Sequence, residues 1–580
     1  MKKHYETHVE DTDKLISVAG PVLDYKSWYE QYRKLMEEQA QRKYGLYTPT
    51  SEGDDDDFPS IPGMIARWSA KGLTNEEMSK NPVWKDLTGN GHDLQMKNFA
   101  WGGMSGVGGY GDENYQTFYK FTLDDYVFIA SPPGVKHMNF TFRVTGLQPG
   151  NKLTLAFFGT TNTVYGTWDK DGIYTVNSAV VEVGKPVYFY NGYGSTRGEF
   201  TIEIFPLYPG ALVFDGVDDW AGCDNLPLLP KEKGYSIIAL RNWITRYDAT
   251  KYKRPLISNL DTNDEGAFLI EYRKDENVND VTGSYNSFTD VYIDDNNPIT
   301  WQTSSSYNGQ IIKKGTSKST NKLCICKTYF GQLSNYANAA IWEIVILDHD
   351  ATEEELTKIK DYFVKTYPWL FPDQAWTVVG KTNEDEDRAT IANITGNGND
   401  LVCLNLGFIE GSGYNEEGEY AGYLVTDGVD DKIVSSVFGM GKDFTIVGDW
   451  KLINTGKNDN AGIVKFDSIV IYNYNPILIN IKNGRNNLIP DQNTVNAICS
   501  DGRIYSKDWK ESIYNEETES TSKNLLTIGY SGNIYTKIAF KNLAIYPTVL
   551  SKEDCIKAYN YLQESSPKTT VSKPTTTSKP

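Results

Sequence analysis

Two pentapeptides in this chain read Asp-Gly-Val-Asp-Asp, at Asp215–Asp219 and Asp427–Asp431. Each sets three carboxylates within five residues: Asp215, Asp218 and Asp219 in the first, Asp427, Asp430 and Asp431 in the second. Clustered carboxylates supply the hard oxygen donors that Ca²⁺ takes. The same letters also describe a tight turn, because Asp-Gly is a turn dipeptide and an Asp side chain readily accepts from its own backbone. Both readings stand at this point. Ahead of each pentapeptide lies a second phrase, TGNGHDL at Thr88–Leu94 and TGNGNDL at Thr395–Leu401. It lacks the Lys-Ser/Thr ending and the strand-loop-helix setting of a phosphate loop, so it reads as a glycine-rich turn.

Catalytic patterns are sparse, and the chain is not expected to be an enzyme. A glycosidase built on β-strands needs carboxylates at alternate strand positions, which places acid and nucleophile on one face. The acidic strands at Glu271 and Val291 lack that spacing. His4, His8, His92, His137 and His349 form no metal-ligand pattern, and neither a G-x-S-x-G nor a Cys-His signature occurs. Cys223, Cys324, Cys326, Cys403, Cys499 and Cys555 include no C-x-x-C pair, and Cys324 and Cys326 alternate onto one face of an expected strand, a poor geometry for bonding each other. They read as buried thiols. Two aromatic residues, Trp168 and Tyr193, stand in polar, glycine-rich surroundings where a ring could stack on a sugar or, equally, pack under a turn.

The elements that must position these residues are doubled. Trp68 precedes the first TGNG phrase and Trp376 the second, and GYSIIAL from Gly234 answers DFTIVGD from Asp443. PLIS at Pro255 answers GIVK at Gly462, GAFLIEY at Gly266 answers DSIVIYNY at Asp467, and YNGQIIKKG from Tyr307 is paired with SDGRIYSKD from Ser500. Each copy closes on a strand and an amphipathic helix with an N-cap, Thr352 with Glu355 and Ser551 with Asp554, expected to pack on the sandwich rim. Short alternating strands between turn dipeptides predict antiparallel sheets packed face to face. The copies differ in one respect: Asp215 follows Thr88 by 127 positions, whereas Asp427 follows Thr395 by 32. The excess, a domain's worth of alternating strands at 110–209, reads as an inserted β-sandwich projecting from a surface loop. The expected organisation is an anchor at 1–62, a first jelly roll at 63–109 plus 210–370, the insert at 110–209, a second jelly roll at 371–564, and a Ser/Thr/Lys/Pro tail at 565–580 expected to be disordered.

The order Trp, TGNG-x-D-L, FDGVDD or its equivalent, Phe-Thr-type strand, hairpin, strand plus helix resembles the concanavalin A-like jelly roll of laminin-G-like domains, in tandem. That resemblance implies an all-β fold but leaves function open, since the family spans lectins, adhesins, accessory modules and virion proteins, some of which bind calcium at the rim. The combined phrasing is also similar to surface and fibre proteins of tailed phages infecting gut Bacteroidales, the crAss-like group included. It implies a virion surface location, non-catalytic attachment to host-surface glycans or contact with neighbouring virion proteins, with a bacterial glycan-binding adhesin and a purely structural assembly protein as the alternatives.

Charge and termini limit the partners. The net charge of −19 disfavours nucleic acid and anionic membranes. No apolar run is long enough for a membrane helix, and Met1–Leu15 lacks the apolar core of a signal peptide, so Sec export is not expected. Leu23–Lys43 reads as a helix with Trp28, Tyr32, Leu35 and Met36 along one stripe. This stripe is the candidate anchor, docking on its own sandwich, into a larger assembly or into a homotrimer. The acidic segment from Ser51 follows it as a hydrated linker.

Overall fold

The computed structural model describes residues 57–564 apart from 110–117, 122–125, 130–136, 148, 159–161, 181–186, 192–199, 230–233, 245–253, 262–266, 273–288, 293–296, 304–305, 308–309, 312–318, 332–334, 440, 454–461, 467–468, 473–476, 482–485, 490–494, 514–522 and 532–533. The anchor stripe of Trp28, Tyr32, Leu35 and Met36, the tail and Tyr193 lie outside the described residues.

The chain is all-β, as expected. In the first jelly roll an eight-stranded sheet centred on Asn338–Leu347 faces a seven-stranded sheet in which Leu323–Ile325, Trp220–Cys223 and Leu94–Lys97 are neighbours. The second repeats this plan, with a sheet centred on Ile538–Tyr546 facing one in which Lys523–Ile528, Lys432–Gly439 and Leu401–Leu404 are neighbours. Burial follows the period of two: Leu401 and Cys403 are buried while Val402 and Leu404, alternating with them, are exposed. Each sandwich has its own core, around Trp68, Trp84 and Phe268 in the first and Trp376, Trp450 and Phe540 in the second. The insert consists of two four-stranded antiparallel sheets.

A third core corrects the rim placement of the closing helices. Helix Glu353–Thr366 buries Ile359, Tyr362 and Phe363, and helix Lys552–Glu564 buries Cys555, Ile556, Tyr559 and Leu562. These side chains share one apolar cluster with Trp342, Val345 and Leu347 of the first sandwich and Val447, Ala497 and Tyr546 of the second. The helices therefore join the two jelly rolls across the outward faces of their central sheets. The central strands are apolar on both faces, so the outward face must be covered as well, and here the two copies cover each other. Thr352 still caps its helix through a capping box with Glu355, as its spacing predicts.

The insert also differs from a free projection. Thr141 Oγ1 donates to Asn560 Oδ1 at 2.8 Å, and Trp509 Nε1 donates to Thr175 Oγ1 at 3.2 Å. Arg143 reaches Glu203 at 2.6 Å within the insert and Glu553 of the second jelly roll at 3.5 Å. A domain threaded into copy one is thus docked on copy two.

Two finer expectations change. Val495–Cys499 pairs with Arg503–Ser506 across the Asp501-Gly502 turn, whereas Asn308-Gly309 separates Ser306–Tyr307 from Gln310–Ile311, one hairpin further along its sheet. The paired segments from Tyr307 and Ser500 are therefore out of step by one hairpin. The alternation drawn through Cys324 and Cys326 also stops short, because the strand ends at Ile325 and Cys326 has φ 56. All six cysteines are free and buried.

Candidate functional site at the Asp-Gly-Val-Asp-Asp ends

The repeated phrases build the same end on each jelly roll. Asp215 closes strand Leu212–Asp215, and its Oδ1 accepts from the amides of Val217 at 2.7 Å, Asp218 at 3.3 Å and Asp219 at 3.3 Å. Asp427 Oδ1 does the same for Val429, Asp430 and Asp431 at 2.7, 3.3 and 3.4 Å. The last Asp turns back: Asp219 Oδ2 accepts from the Asp215 amide at 3.1 Å, and Asp431 Oδ2 from the Asp427 amide at 2.8 Å. Glycine is required between them. Gly216 and Gly428 have φ 74 and 77 and lie so close to Asn338 and to Lys537 that a Cβ would sit within 3 Å of them.

The TGNG phrases are turns of the same kind. Thr88 Oγ1 donates to Asp86 at 2.7 Å and Thr395 Oγ1 to Asn393 at 2.8 Å, while Asn90 and Asn397 tie the loop to the carbonyls of Ile65 and Asp373. Trp68 and Trp376 donate their indole N–H to the carbonyls of His92 and Asn399 at 3.0 and 2.9 Å. His92 contributes its backbone there, which agrees with asparagine at the matching position of copy two.

The three carboxylates of each turn offer oxygens within 4.8 Å of one another. Asp219 and Asp431 are fully buried, and the Oδ1 of each has no hydrogen-bond partner. Burial, then the charge of Asp215, pushes the Asp219 carboxyl up to about 7, and burial raises Asp431 as well. An orphaned, buried carboxylate oxygen beside two further carboxylates fits a hard cation, and the fit occurs twice. Asp215, Asp218 and Asp219 would hold one such ion and Asp427, Asp430 and Asp431 the other.

Around these turns sits a group of side chains that the sequence reading missed. The tip valines Val217 and Val429 are 68% and 71% exposed. Directly after the turn, Trp220 in the first copy lies under Lys327, with Nζ 4.0 Å from the ring centroid. In the second copy the roles are exchanged: Lys432 follows the turn and its Nζ lies 4.9 Å from the Tyr530 ring. Each pair has a tyrosine beside it, Tyr336 bridged to Lys327 and Tyr535 paired with Tyr530. Asn98 and Asn405, both at φ 68, donate to the carbonyls of Asp218 and Asp430 at 3.0 Å. Ser105 and Ser412 bond the buried Asp219 and Asp431. One cation, aromatic rings, an exposed carboxylate and an exposed valine thus recur at matching places. That set can stack on an apolar ring face, through the aromatic surface and its cation, and accept hydroxyl hydrogen bonds.

The other nominated ring, Trp168, is half-buried in the insert, 4.9 Å from Phe142 and 5.3 Å from Tyr174, and lies against Gly166. The acidic strand residue Glu271 is fully buried. No helix among the described residues is long and apolar enough to cross a membrane.

No family model matches the chain, and no curated protein matches it. Among solved structures it is similar to Trypanosoma rangeli sialidase in complex with sialic acid, at 10% identity and a TM-score of 0.24, covering 45% of this chain and 48% of that one. A further structure of Trypanosoma rangeli sialidase matches at 10% identity and a TM-score of 0.23, over 80% of this chain and 72% of that one. A third is the binding domain of botulinum neurotoxin DC in complex with SialylT, at 8% identity and a TM-score of 0.16 over 83% and 98%. The chain spans about half the length of the first of these. Likenesses this slight carry no argument about activity.

Proposed function

We propose that the chain is a non-catalytic surface protein of a tailed-phage virion, with two saccharide-binding ends, one at each Asp-Gly-Val-Asp-Asp turn. The observation that carries the binding role is the recurrence of a cation, an aromatic ring and a tyrosine around both turns, although the residues supplying them have changed places. The virion setting rests on the sequence resemblance and on a modular chain whose leading segment reads as an anchor. A glycan array probed with the full chain is expected to give discrete hits. A blank array contradicts the binding role and leaves the purely structural alternative.

Two proposals accompany this reading. The turn carboxylates bind Ca²⁺, which neutralises charge and stiffens each end; the ion's contribution follows its free concentration over its dissociation constant. Millimolar Ca²⁺ is expected to raise the melting temperature of the full chain by about 2 °C over the chelated protein. Replacing both Asp219 and Asp431 by asparagine should remove that rise, and an unchanged melt in wild type with no heat on titration ends the metal proposal. The stripe of Trp28, Tyr32, Leu35 and Met36 joins copies of the chain and docks them on other virion proteins. Light scattering should then return a trimer mass, and a monomer mass contradicts it.

A further inference from the structure

The two ends differ in how deeply the lysine over the ring is buried. Lys327 is only 6% exposed. Its ammonium donates one long bond, 3.4 Å to the Phe330 carbonyl, and otherwise faces the Trp220 ring. Among the described residues no carboxylate lies within salt-bridge range of it. Burial pulls its pKa down, as it does for any ammonium taken from water without an anion. The Lys327 side chain is covered along its length, and its ammonium rests on the Trp220 ring without a carboxylate beside it.

Around Lys327 stand two aromatic rings and a second lysine. Phe330 meets Trp220 edge-on at 5.6 Å, and both rings lie against Gly222, where a Cβ would come within 2.8 Å of the indole and 3.2 Å of the Phe330 ring. Lys322 adds a second cation 5.0 Å from the Phe330 centroid, its own acid partner Asp224 standing at 3.7 Å. Trp220 and Phe330 are partly buried and stand beside Lys327. At the second end the ring packed on Tyr530 is Tyr535, at 4.9 Å. There the chain runs from Gly529 to Thr536, against Cys326 to Ala337 in the first copy, and Lys432 is less deeply buried than Lys327.

We infer that the first end takes an acidic saccharide, its carboxylate paired with Lys327 and its apolar ring face against Trp220, whereas the second end has no such preference for acid. This inference rests on the saccharide-binding reading above and sharpens it.

Calorimetric titration of the full chain tests it, with three acids as probes: galacturonate and glucuronate oligosaccharides and an N-acetylneuraminyl oligosaccharide, each beside its methyl ester. At least one acid should bind at least tenfold more tightly than its ester, since the ester keeps the ring and loses the charge. Lys327→Gln should abolish that difference, Lys327→Arg should keep part of it, and Tyr530→Ala should leave it intact. Circular dichroism and melting of Lys327→Gln check that the fold is retained; should that variant not fold, Trp220→Ala takes its place and must lower the affinity for the acid. Acid and ester binding alike overturns the acidic preference but leaves saccharide binding standing. Acetate competing as well as the oligosaccharide overturns the saccharide part, and binding of none of the three acids overturns the inference even where the array shows neutral hits.

Discussion

Replacing Arg67 by methionine is expected to destabilise the chain by about 3–5 kcal/mol, because it leaves Glu343 buried without its countercharge. Glu343 lies on the central strand Asn338–Leu347 and is wholly buried, and Arg67 on strand Met64–Ser69 reaches it through Nε at 3.2 Å. Three hydroxyls also converge on Glu343 Oε1: Ser69 at 2.7 Å, Tyr367 at 2.9 Å and Tyr362 at 3.5 Å. Tyr362 belongs to helix Glu353–Thr366, and Tyr367 follows it directly. The network therefore fixes the helix to the sheet as well as neutralising the acid. Burial raises the Glu343 carboxyl and Arg67 opposes that rise, so removing Arg67 favours a protonated or unfolded state. Denaturant melts should show the loss, and the double variant Arg67→Met with Glu343→Leu should recover much of it. A loss below about 1 kcal/mol in the single variant, the scale of an exposed ion pair, would show that the pair is not the tie described here.

Trp509→Ala should cost a similar amount, about 3–5 kcal/mol for a buried aromatic truncated to alanine, and should also separate the insert from the second jelly roll. Trp509 is 1% exposed at φ 56, with its ring edge-on to Tyr559 of helix Lys552–Glu564 at 5.5 Å. Its indole N–H is the bond to Thr175 of the insert. Without it the docking retains the Thr141–Asn560 bond and the ion pair of Arg143 with Glu553, which is partly exposed. Differential scanning calorimetry should show the insert melting ahead of the remainder in the variant. An unchanged transition means that the insert is held by something else.

These two residues mark where the sequence stopped being informative. The turns were legible because the same hydrogen bonds recur with the same letters: Thr88 and Thr395, Asp215 and Asp427, Trp68 and Trp376 each do one job twice. The shared helical core was not legible. An amphipathic helix shows that one face is buried but not against which sheet, and the outward faces of strands such as Asn338–Leu347 read as ordinary continuous apolar runs. The docking of the insert left no signal, because Thr141 and Thr175 are common strand residues. The cation and ring were missed for a different reason. Trp220 and Lys327 are far apart in sequence, and their counterparts Lys432 and Tyr530 hold the opposite roles, so no repeat of letters exposes the repeat of chemistry. The tyrosines Tyr336 and Tyr535, which precede the closing strand in both copies, were the available clue.

The two-ended binding account stands on Trp220 and Tyr530. The most direct test is one glycan array run on the wild-type full chain, on Trp220→Ala, on Tyr530→Ala and on the double variant, each checked for an unchanged melt. Each single variant is predicted to lose part of the wild-type hits and the double variant to lose all of them. A double variant that keeps the wild-type hits would contradict the account.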